Sequence, residues 1–339
     1  MKNIIISALD RKSGKTVAGY AIAKLANKKT GYMKPIGSNV LYKDKKVLDY
    51  DAILFKEAFS LPEDAEELCM GMHHSKILHF YQNVKKELTE RHARLSKGKE
   101  LFLIEGGEFL WKGASLSLDA LSLVEILNAE IVFVVAGEYH EILDELQYIH
   151  RINKSVPVKG IILNKMRDED MERIKEDAQN LNLKLLGVIP YMKRLQATRV
   201  RHVVETLFAK VVAGEDGLDR YIENVFIAAL SAPEIKRHPD YRKENKLIIT
   251  GGDRSDVITA CLEEGTSAII LTNNIVPSAN ILAQANEKNI PLISLRPDTY
   301  TVSKLIENIQ PVILPDEREK LHEIEKEARE HLDIQAILD

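Results

Sequence analysis

Short apolar runs alternate with long amphipathic segments along most of this chain. The runs NIIIS, LFLIEGG, EIVFVVAG, GIILN and LLGVIP are rich in branched residues and close on glycine, asparagine or proline. Unbroken apolarity over so few residues is the mark of a strand buried on both faces. Between the runs, KILHFYQNVKKELTERHARLSKG and HEILDELQYIHRIN repeat apolar residues at i, i+3, i+4 and i+7, the period of a half-buried helix. A strand that is apolar on both sides needs a cover on both sides. The alternation therefore predicts an α/β fold: a doubly wound, mostly parallel sheet with helices on both faces and right-handed crossovers.

Near residue 195 the rhythm changes. LQATRVRHVVETLFAKVVAGEDGLDRYIENVFIAAL reads as a helix, a turn-rich AGEDGLDR and a strand. The charged, proline-bearing EIKRHPDYRKEN leads into KLIITGGDRSDVITACLEEG, and two more strand–helix units follow around SAIILTNN and IPLISL. At 339 residues the chain has room for two domains. The expected division is a first α/β domain over 1–195, a smaller α/β domain over 196–315, and a charged C-terminal helix over 316–339. In that helix Leu321, Ile324, Ala328 and Leu332 recur at three- and four-residue steps. It is expected to pack on the second domain or on a partner subunit of a homo-oligomer.

Composition narrows the partners. With 45% hydrophobic and 29% charged residues the chain is expected to be a soluble globular protein, and its net charge of −4 argues against a general nucleic-acid binder. Cys69 and Cys261 stand alone and far apart, which excludes a disulfide framework or a cysteine zinc site and fits a reducing, cytoplasmic setting. No stretch approaches about 18 consecutive apolar residues, so no membrane span is expected. The apolar run Ile4–Ile6 is too short for a signal peptide. His73 and His74 are adjacent and point apart on any strand or helix, so they are not expected to share a metal.

One loop carries chemistry. Ser13-Gly14-Lys15-Thr16 is the end of a phosphate-binding pattern G-x-x-x-x-G-K-[ST], with Leu9 where the first glycine would stand. A phosphate loop needs a buried strand leading in, backbone N–H groups aimed at the anion, and a helix whose positive N-terminal end follows. KNIIIS supplies the strand and KTVAGYAIAKLANK the helix. Gly14 permits close backbone approach, Lys15 reaches the outer phosphates, and Thr16 is placed to bind Mg2+. The first glycine only eases the turn, so its loss removes no ligand.

GYMKPIGS follows one helix later, at residues 31–38. At this point the chain resembles dethiobiotin synthetase and its relatives, whose loop reads G-T-D-x-x-x-G-K-T and is followed by G-Y-x-K-P-x-x-S. Ala8-Leu9-Asp10 stands where that family has Gly-Thr-Asp, and Asp10 keeps its place. LFLIEGG, GIILNKM and LLGVIPY then follow in the family's order, matching V-V-E-G-A-G-G, V-I-L-N and L-G-x-I-P. The second part, AGEDGLDRYIENVFIAALS with LIITGGDRSDVITACLEEGTSAIIL and PLISLRPDTYTVSKLIE, resembles the DRTGG domain. The resemblance covers about residues 1–315 and implies a P-loop NTPase-type sheet followed by a DRTGG-type α/β domain. That pairing is the layout of the N-terminal half of long-form phosphotransacetylases. Their acetyltransferase domain has no counterpart here, so that activity is not expected of this chain.

Mg-ATP calls for oxygen ligands around an octahedral metal. Thr16 is one, and Glu105, at the carboxyl end of a buried strand, is a second. Asp51 in LDYDAILF matches the family's other metal-binding aspartate, with Asp49 an equal rival on chemistry alone. By the same resemblance Lys34 steadies the transferred phosphoryl group and Ser38 supplies a substrate-site hydroxyl. Asn164 is expected to pair with adenine, with Pro190 nearby; Lys165 either stacks on the base or is solvated. In the second domain Gly251-Gly252-Asp253-Arg254 precedes a helix, and could hold an anion or nucleotide with Arg254 as a fork. Asp253 or Ser255 could equally cap that helix, with the glycines simply turning the chain.

The family's EGAGG becomes Glu105-Gly106-Gly107-Glu108 followed by Phe109-Leu110-Trp111, which changes what lines the acceptor side. The preferred expectation is therefore a nucleotide-binding metabolic regulator or slow ATPase whose DRTGG domain senses a small-molecule metabolite or mediates assembly. The alternative is an ATP-dependent ligase or carboxylase acting on a small acid or amine. A scaffold with a vestigial loop is the weakest expectation.

Overall fold

The five apolar runs all become strands of one sheet. In the computed structural model, which describes residues 1–43 and 46–339, the chain divides into two compact units: Met1–Met192 together with Val312–Asp339, and Lys193–Pro311. The first unit runs β1 (Lys2–Ser7), α1 (Lys15–Leu25), β2 (Thr30–Ile36), a hairpin of β3 (Val40–Lys43) and β4 (Lys46–Asp49), α2 (Tyr50–Ala58), β5 (Cys69–Gly71), α3 (His74–Phe80) and α4 (Val84–Leu95). It continues through β6 (Leu101–Glu105), α5 (Ala120–Leu127), β7 (Glu130–Val135), α6 (Tyr139–Ile152), β8 (Val158–Met166), α7 (Met171–Asn180) and β9 (Leu185–Pro190).

Seven of these strands form a parallel sheet in the order β5-β2-β6-β1-β7-β8-β9. From β1 the chain crosses to β2 on one side, and later runs from β7 to β9 on the other. Right-handed crossovers then put α1 on one face and α6 and α7 on the opposite face. The carboxyl ends of β1, β6 and β2 meet where the winding reverses, which is where open α/β sheets bind ligands. The segment KILHFYQNVKKELTERHARLSKG, expected as one helix, is two. The chain is extended at Tyr81, and the Asn83 side chain accepts from the Lys86 N–H and starts α4 afresh.

The second unit holds β10 (Thr198–Arg199), α8 (Val200–Leu207), β11 (Lys210–Ala213), β12 (Tyr221–Ile222), β13 (Asn224–Ile227), α9 (Ala232–Arg237), β14 (Lys246–Gly251), α10 (Ser255–Cys261), β15 (Thr266–Thr272), α11 (Ala279–Glu287), β16 (Leu292–Ser294) and α12 (Thr299–Asn308). Its five-stranded sheet, β11-β16-β15-β14-β13, is parallel apart from β11. Alternate residues of β14 and β15 enter two cores. Ile248, Ile269 and Leu271 pack with Ile235, Val257 and Ile281, while Leu247, Ile249, Ala268 and Ile270 pack with Val200, Val203 and Val302. This is the smaller α/β domain that the strand–helix pattern implies.

The tail departs from expectation. α13 (Arg318–His331) packs on α1 and β9 of the first unit rather than on the second domain or a partner, and α14 (Ile334–Leu338) follows it there. The tail meets two needs of the sheet. It covers the face that α6 and α7 leave on the other side, and it shields the free edge of β9 through a Gly187–Leu332 bridge and an Asp333 N–H to Leu186 carbonyl bond of 2.9 Å. Glu325 reaches α1, accepting from the Tyr20 hydroxyl at 2.8 Å and pairing with Lys24 at 3.3 Å. Among the described residues no helix is long and apolar enough to cross a membrane.

Candidate functional site

β1 delivers the chain to the loop, and Gly14 turns it into α1. Gly14 is the residue before the helix, at φ 92°, a left-handed conformation that favours glycine, and a Cβ there would collide with Asn164 Nδ2. Two requirements therefore fix the same residue. Asn164 Nδ2 donates to the Ser13 carbonyl at 2.8 Å, Lys165 Nζ donates to the Lys12 carbonyl at 2.6 Å, and the Ser13 hydroxyl donates to the Asp10 carbonyl at 3.0 Å. Asn164, expected to pair with adenine, is buried, and its amide buttresses the loop from the end of β8. Lys165 is likewise tied to the loop. Pro190 ends β9, in register with Met166 of β8.

Behind the loop lies a buried cluster of charges. Tyr32 and Lys34 alternate along β2 and share one face, Glu105 ends β6, Asp49 closes the β3–β4 hairpin, and Asp51 opens α2. The Lys34 ammonium, 1% exposed, hydrogen-bonds Asp51 Oδ2 and lies 3.2 Å from Glu105 Oε1 and 3.6 Å from Asp49 Oδ1. Glu105 Oε1 also accepts from the Thr16 hydroxyl at 3.3 Å, and Oε2 from the Tyr32 hydroxyl at 3.0 Å.

The two rival aspartates have different work. Asp49 caps α2: Oδ1 accepts the N–H groups of Asp51 and Ala52, and Oδ2 those of Ser38 and Asn39. Four backbone donors and Lys34 engage both of its oxygens. Asp51 meets Lys34 and the Asn39 side-chain amide, both through Oδ2. Ser38 joins this site through its backbone N–H.

The charge states follow from burial and neighbours. Burial alone would lower the Lys34 ammonium, but Asp49, Asp51 and Glu105 hold it well above its ordinary value. Burial raises the Asp49 and Glu105 carboxyls, with Lys34 pulling both down. Burial lowers Lys15, against the opposing pull of Glu105. Three carboxyl groups therefore face two lysine amines, all of them buried. The donor set, one hydroxyl and carboxylate oxygens, is hard and suits magnesium.

A second acid comes from α6. Glu145 feels Asp10 and Lys15 across the loop, and its Oε2 is buried with no hydrogen-bond partner among the described residues. Burial first, then Asp10 and Glu141, push its carboxyl up to about 7. Sequence reasoning missed Glu145, which sits inside an ordinary amphipathic helix. It also missed Tyr32 and Asn39, although the two-residue period of GYMKP puts Tyr32 beside Lys34.

The segment after Glu105 folds over the loop. Lys15 Nζ donates to the Glu108 carbonyl at 2.9 Å. The Glu108 carboxylate lies 3.6 Å from both Arg11 and Lys112, whose cations sit over the Phe109 ring at 5.3 and 5.7 Å. Phe109 in turn lies 4.8 Å from Trp111, which is 63% exposed.

In the second unit Gly251–Arg254 joins β14 to α10, as expected, but Arg254 is not an open fork. Its guanidinium donates to the Ala228 and Leu230 carbonyls and pins the turn after β13. Gly252 is required by close packing, since a Cβ there would collide with the Ile275 carbonyl oxygen. Arg254 itself occupies the cap position of α10 and makes no side-chain capping bond, so neither Asp253 nor Ser255 is the cap.

A family profile described as an AAA domain matches residues 2–199, and the DRTGG domain profile matches residues 202–309. The phosphate acetyltransferase of Nitratidesulfovibrio vulgaris is 25% identical over 94% of this chain and 49% of its own. That of Synechocystis sp. is 24% identical over the same shares, 94% and 49%. The chain thus spans about half the length of the curated relatives it matches. Among solved structures, the CBS and DRTGG domains of the regulatory region of Clostridium perfringens pyrophosphatase, complexed with the activator diadenosine tetraphosphate, match 53% of this chain and 74% of that one at 22% identity and a TM-score of 0.31. An ATP complex of a Cyanothece McdA variant matches 57% and 85% at 14% identity and a TM-score of 0.39.

Proposed function

The chain belongs to the AAA-domain family in its dethiobiotin-synthetase-like P-loop form, joined to a DRTGG domain, and on that premise we propose that it is a Mg-ATP-binding metabolic regulator. The observation that carries this reading is the meeting of buried Lys15, Lys34, Asp51 and Glu105 with half-buried Thr16 at the N-terminal end of α1. The N-terminal N–H groups of α1 and Lys15 take the phosphates. Thr16, Glu105 and Asp51 hold magnesium, which when bound offsets the phosphate charge. Asp49 stays with its four backbone donors and keeps α2 in place.

Lys34 favours a regulator over a ligase. Its ammonium is spent on three carboxylates, so it balances the metal site rather than reaching toward an acceptor. The DRTGG unit is the sensor of a small-molecule metabolite, coupled reciprocally to nucleotide affinity.

Titration calorimetry tests the site. Lys15→Ala should weaken Mg-ATP binding at least tenfold, about 1.4 kcal/mol. Equal affinity for the two proteins would remove Lys15, and the loop with it, from the nucleotide site.

A further inference from the structure

The loop's lysine already has a partner. Among the described residues the hydrogen-bond acceptor of Lys15 Nζ is the Glu108 carbonyl, on a segment that no strand or helix continues. Arg11, from the phosphate loop itself, holds the same segment by pairing with the Glu108 carboxylate and lying over the Phe109 ring, while Lys112 makes the same two contacts from within the segment. Gly107 lets the segment fold this tightly: a Cβ there would lie 2.6 Å from Lys112 Cβ.

The groups that hold the segment from the loop side, Lys15 and Arg11, are cations beside a site suited to a polyphosphate, while buried Leu110, whose carbonyl accepts from the Ala120 N–H, anchors its other side. A triphosphate is a stronger partner for an ammonium or guanidinium than a backbone carbonyl, a lone carboxylate or an aromatic face. Its oxygens also repel the Glu108 carbonyl and carboxylate. Nucleotide and segment therefore compete for the same charges.

We propose that Gly107–Lys112 is a strap that reports nucleotide occupancy: polyphosphate takes Lys15 and Arg11 from it, and the strap with its Phe109–Trp111 pair comes away from the loop. The proposal rests on the nucleotide reading above and adds how the site is regulated. Bound to Lys15 and Arg11 the strap is an autoinhibitory contact, because its release is part of the cost of binding.

Trp111 is the chain's one tryptophan, so its fluorescence reads the strap directly. The full chain is titrated with Mg-ATP while Trp111 emission and acrylamide quenching are followed, and the same samples go to calorimetry. Emission should change and quenching rise along the calorimetric binding curve. Full occupancy by calorimetry with unchanged emission and quenching overturns the strap and leaves the nucleotide reading standing. Absence of any binding heat, with no shift in unfolding temperature on adding Mg-ATP, overturns both.

A second arm uses affinity. Phe109→Ala removes the ring under Arg11 and Lys112 and should tighten Mg-ATP by about two- to fivefold, the scale of one exposed cation–π contact. Glu108→Gln keeps the carbonyl but weakens both ion pairs, and should shift affinity the same way. A variant with a wild-type unfolding curve and a Kd equal to or weaker than that of the wild type speaks against the strap.

Discussion

Replacing Lys34 with methionine keeps the volume of the side chain and removes its charge. In the wild type that ammonium is 1% exposed and faces Asp49, Asp51 and Glu105. Methionine leaves three buried carboxyls, with Lys15 as the remaining cation in the cluster. Breaking a buried ion pair on one side costs about 3–5 kcal/mol, since the remaining charge is stranded in a medium that solvates it poorly. For a domain of this size each kcal/mol moves the unfolding midpoint by about 2–4 °C, so the expected drop is about 6–20 °C at pH 7.5. The loss should depend on pH in a particular direction. Burial already raises the Asp49 and Glu105 carboxyls while Lys34 pulls them down, so removing Lys34 raises them further. A carboxyl whose folded value lies above its unfolded value costs stability at neutral pH, and that cost disappears as pH falls toward about 4, the ordinary carboxylate range. The gap between Lys34→Met and wild type should therefore narrow steadily from pH 7.5 to pH 4.5. Magnesium at millimolar concentration should narrow it at pH 7.5 as well, by supplying the missing positive charge. Thermal unfolding followed by circular dichroism, with and without magnesium, measures all three. A midpoint within about 2 °C of the wild type at pH 7.5 would refute the buried cluster as the source of this stability.

Two further outcomes follow from the site and the tail. Glu145→Gln should raise the unfolding midpoint by a few degrees at pH 8 and lose that advantage as pH falls below about 7, where the wild-type carboxyl is protonated in the folded state; a gain that is the same at pH 5 and pH 8 speaks against a titrating Glu145. Residues 1–195 alone should be poorly soluble, whereas 1–192 joined by a flexible linker to 312–339 should fold and bind Mg-ATP, because α13 belongs to that unit; a well-folded 1–195 fragment, judged by a sharp unfolding transition, would show the tail to be dispensable.

Much of the first unit was legible because its strands are buried on both faces. NIIIS and EIVFVVAG have no polar alternation to blur them, and SGKT is read by short-range geometry that survives the change to Leu9. The charge cluster was legible in its members and not in its pairings. Asp49 and Asp51 are two letters apart with the same chemistry, and only the pairing of β3 with β4, which sets Asp49 beside the Ser38 and Asn39 N–H groups at the start of α2, gives one of them four backbone donors. The contact of Asn164 with the loop is not legible, because its place in sequence says nothing of Gly14, whose missing side chain makes the room it occupies. The bonds of Arg254 are hidden for a related reason: the carbonyls of Ala228 and Leu230 are brought to it by strand order, which no local pattern encodes. The tail shows the limit of periodicity. Leu321, Ile324 and Ala328 mark a buried stripe, and a stripe does not say what buries it.

The place of α13 also sets the order in which the protein can be made. The second unit is an insertion, leaving the first after β9 and returning to it before α13. A ribosome adds about 5–20 residues each second, so residues 193–339 take roughly 7–30 s to appear after β9 has been synthesised. Throughout that interval the nascent sheet has an unshielded edge at β9 and no helix against α1 on that side. Of these two units the host is begun before the insertion and completed after it, so the inserted unit can fold completely while its host waits. Chaperones that recognise bare apolar faces and open strand edges have their longest opportunity here, on a surface the finished protein does not display.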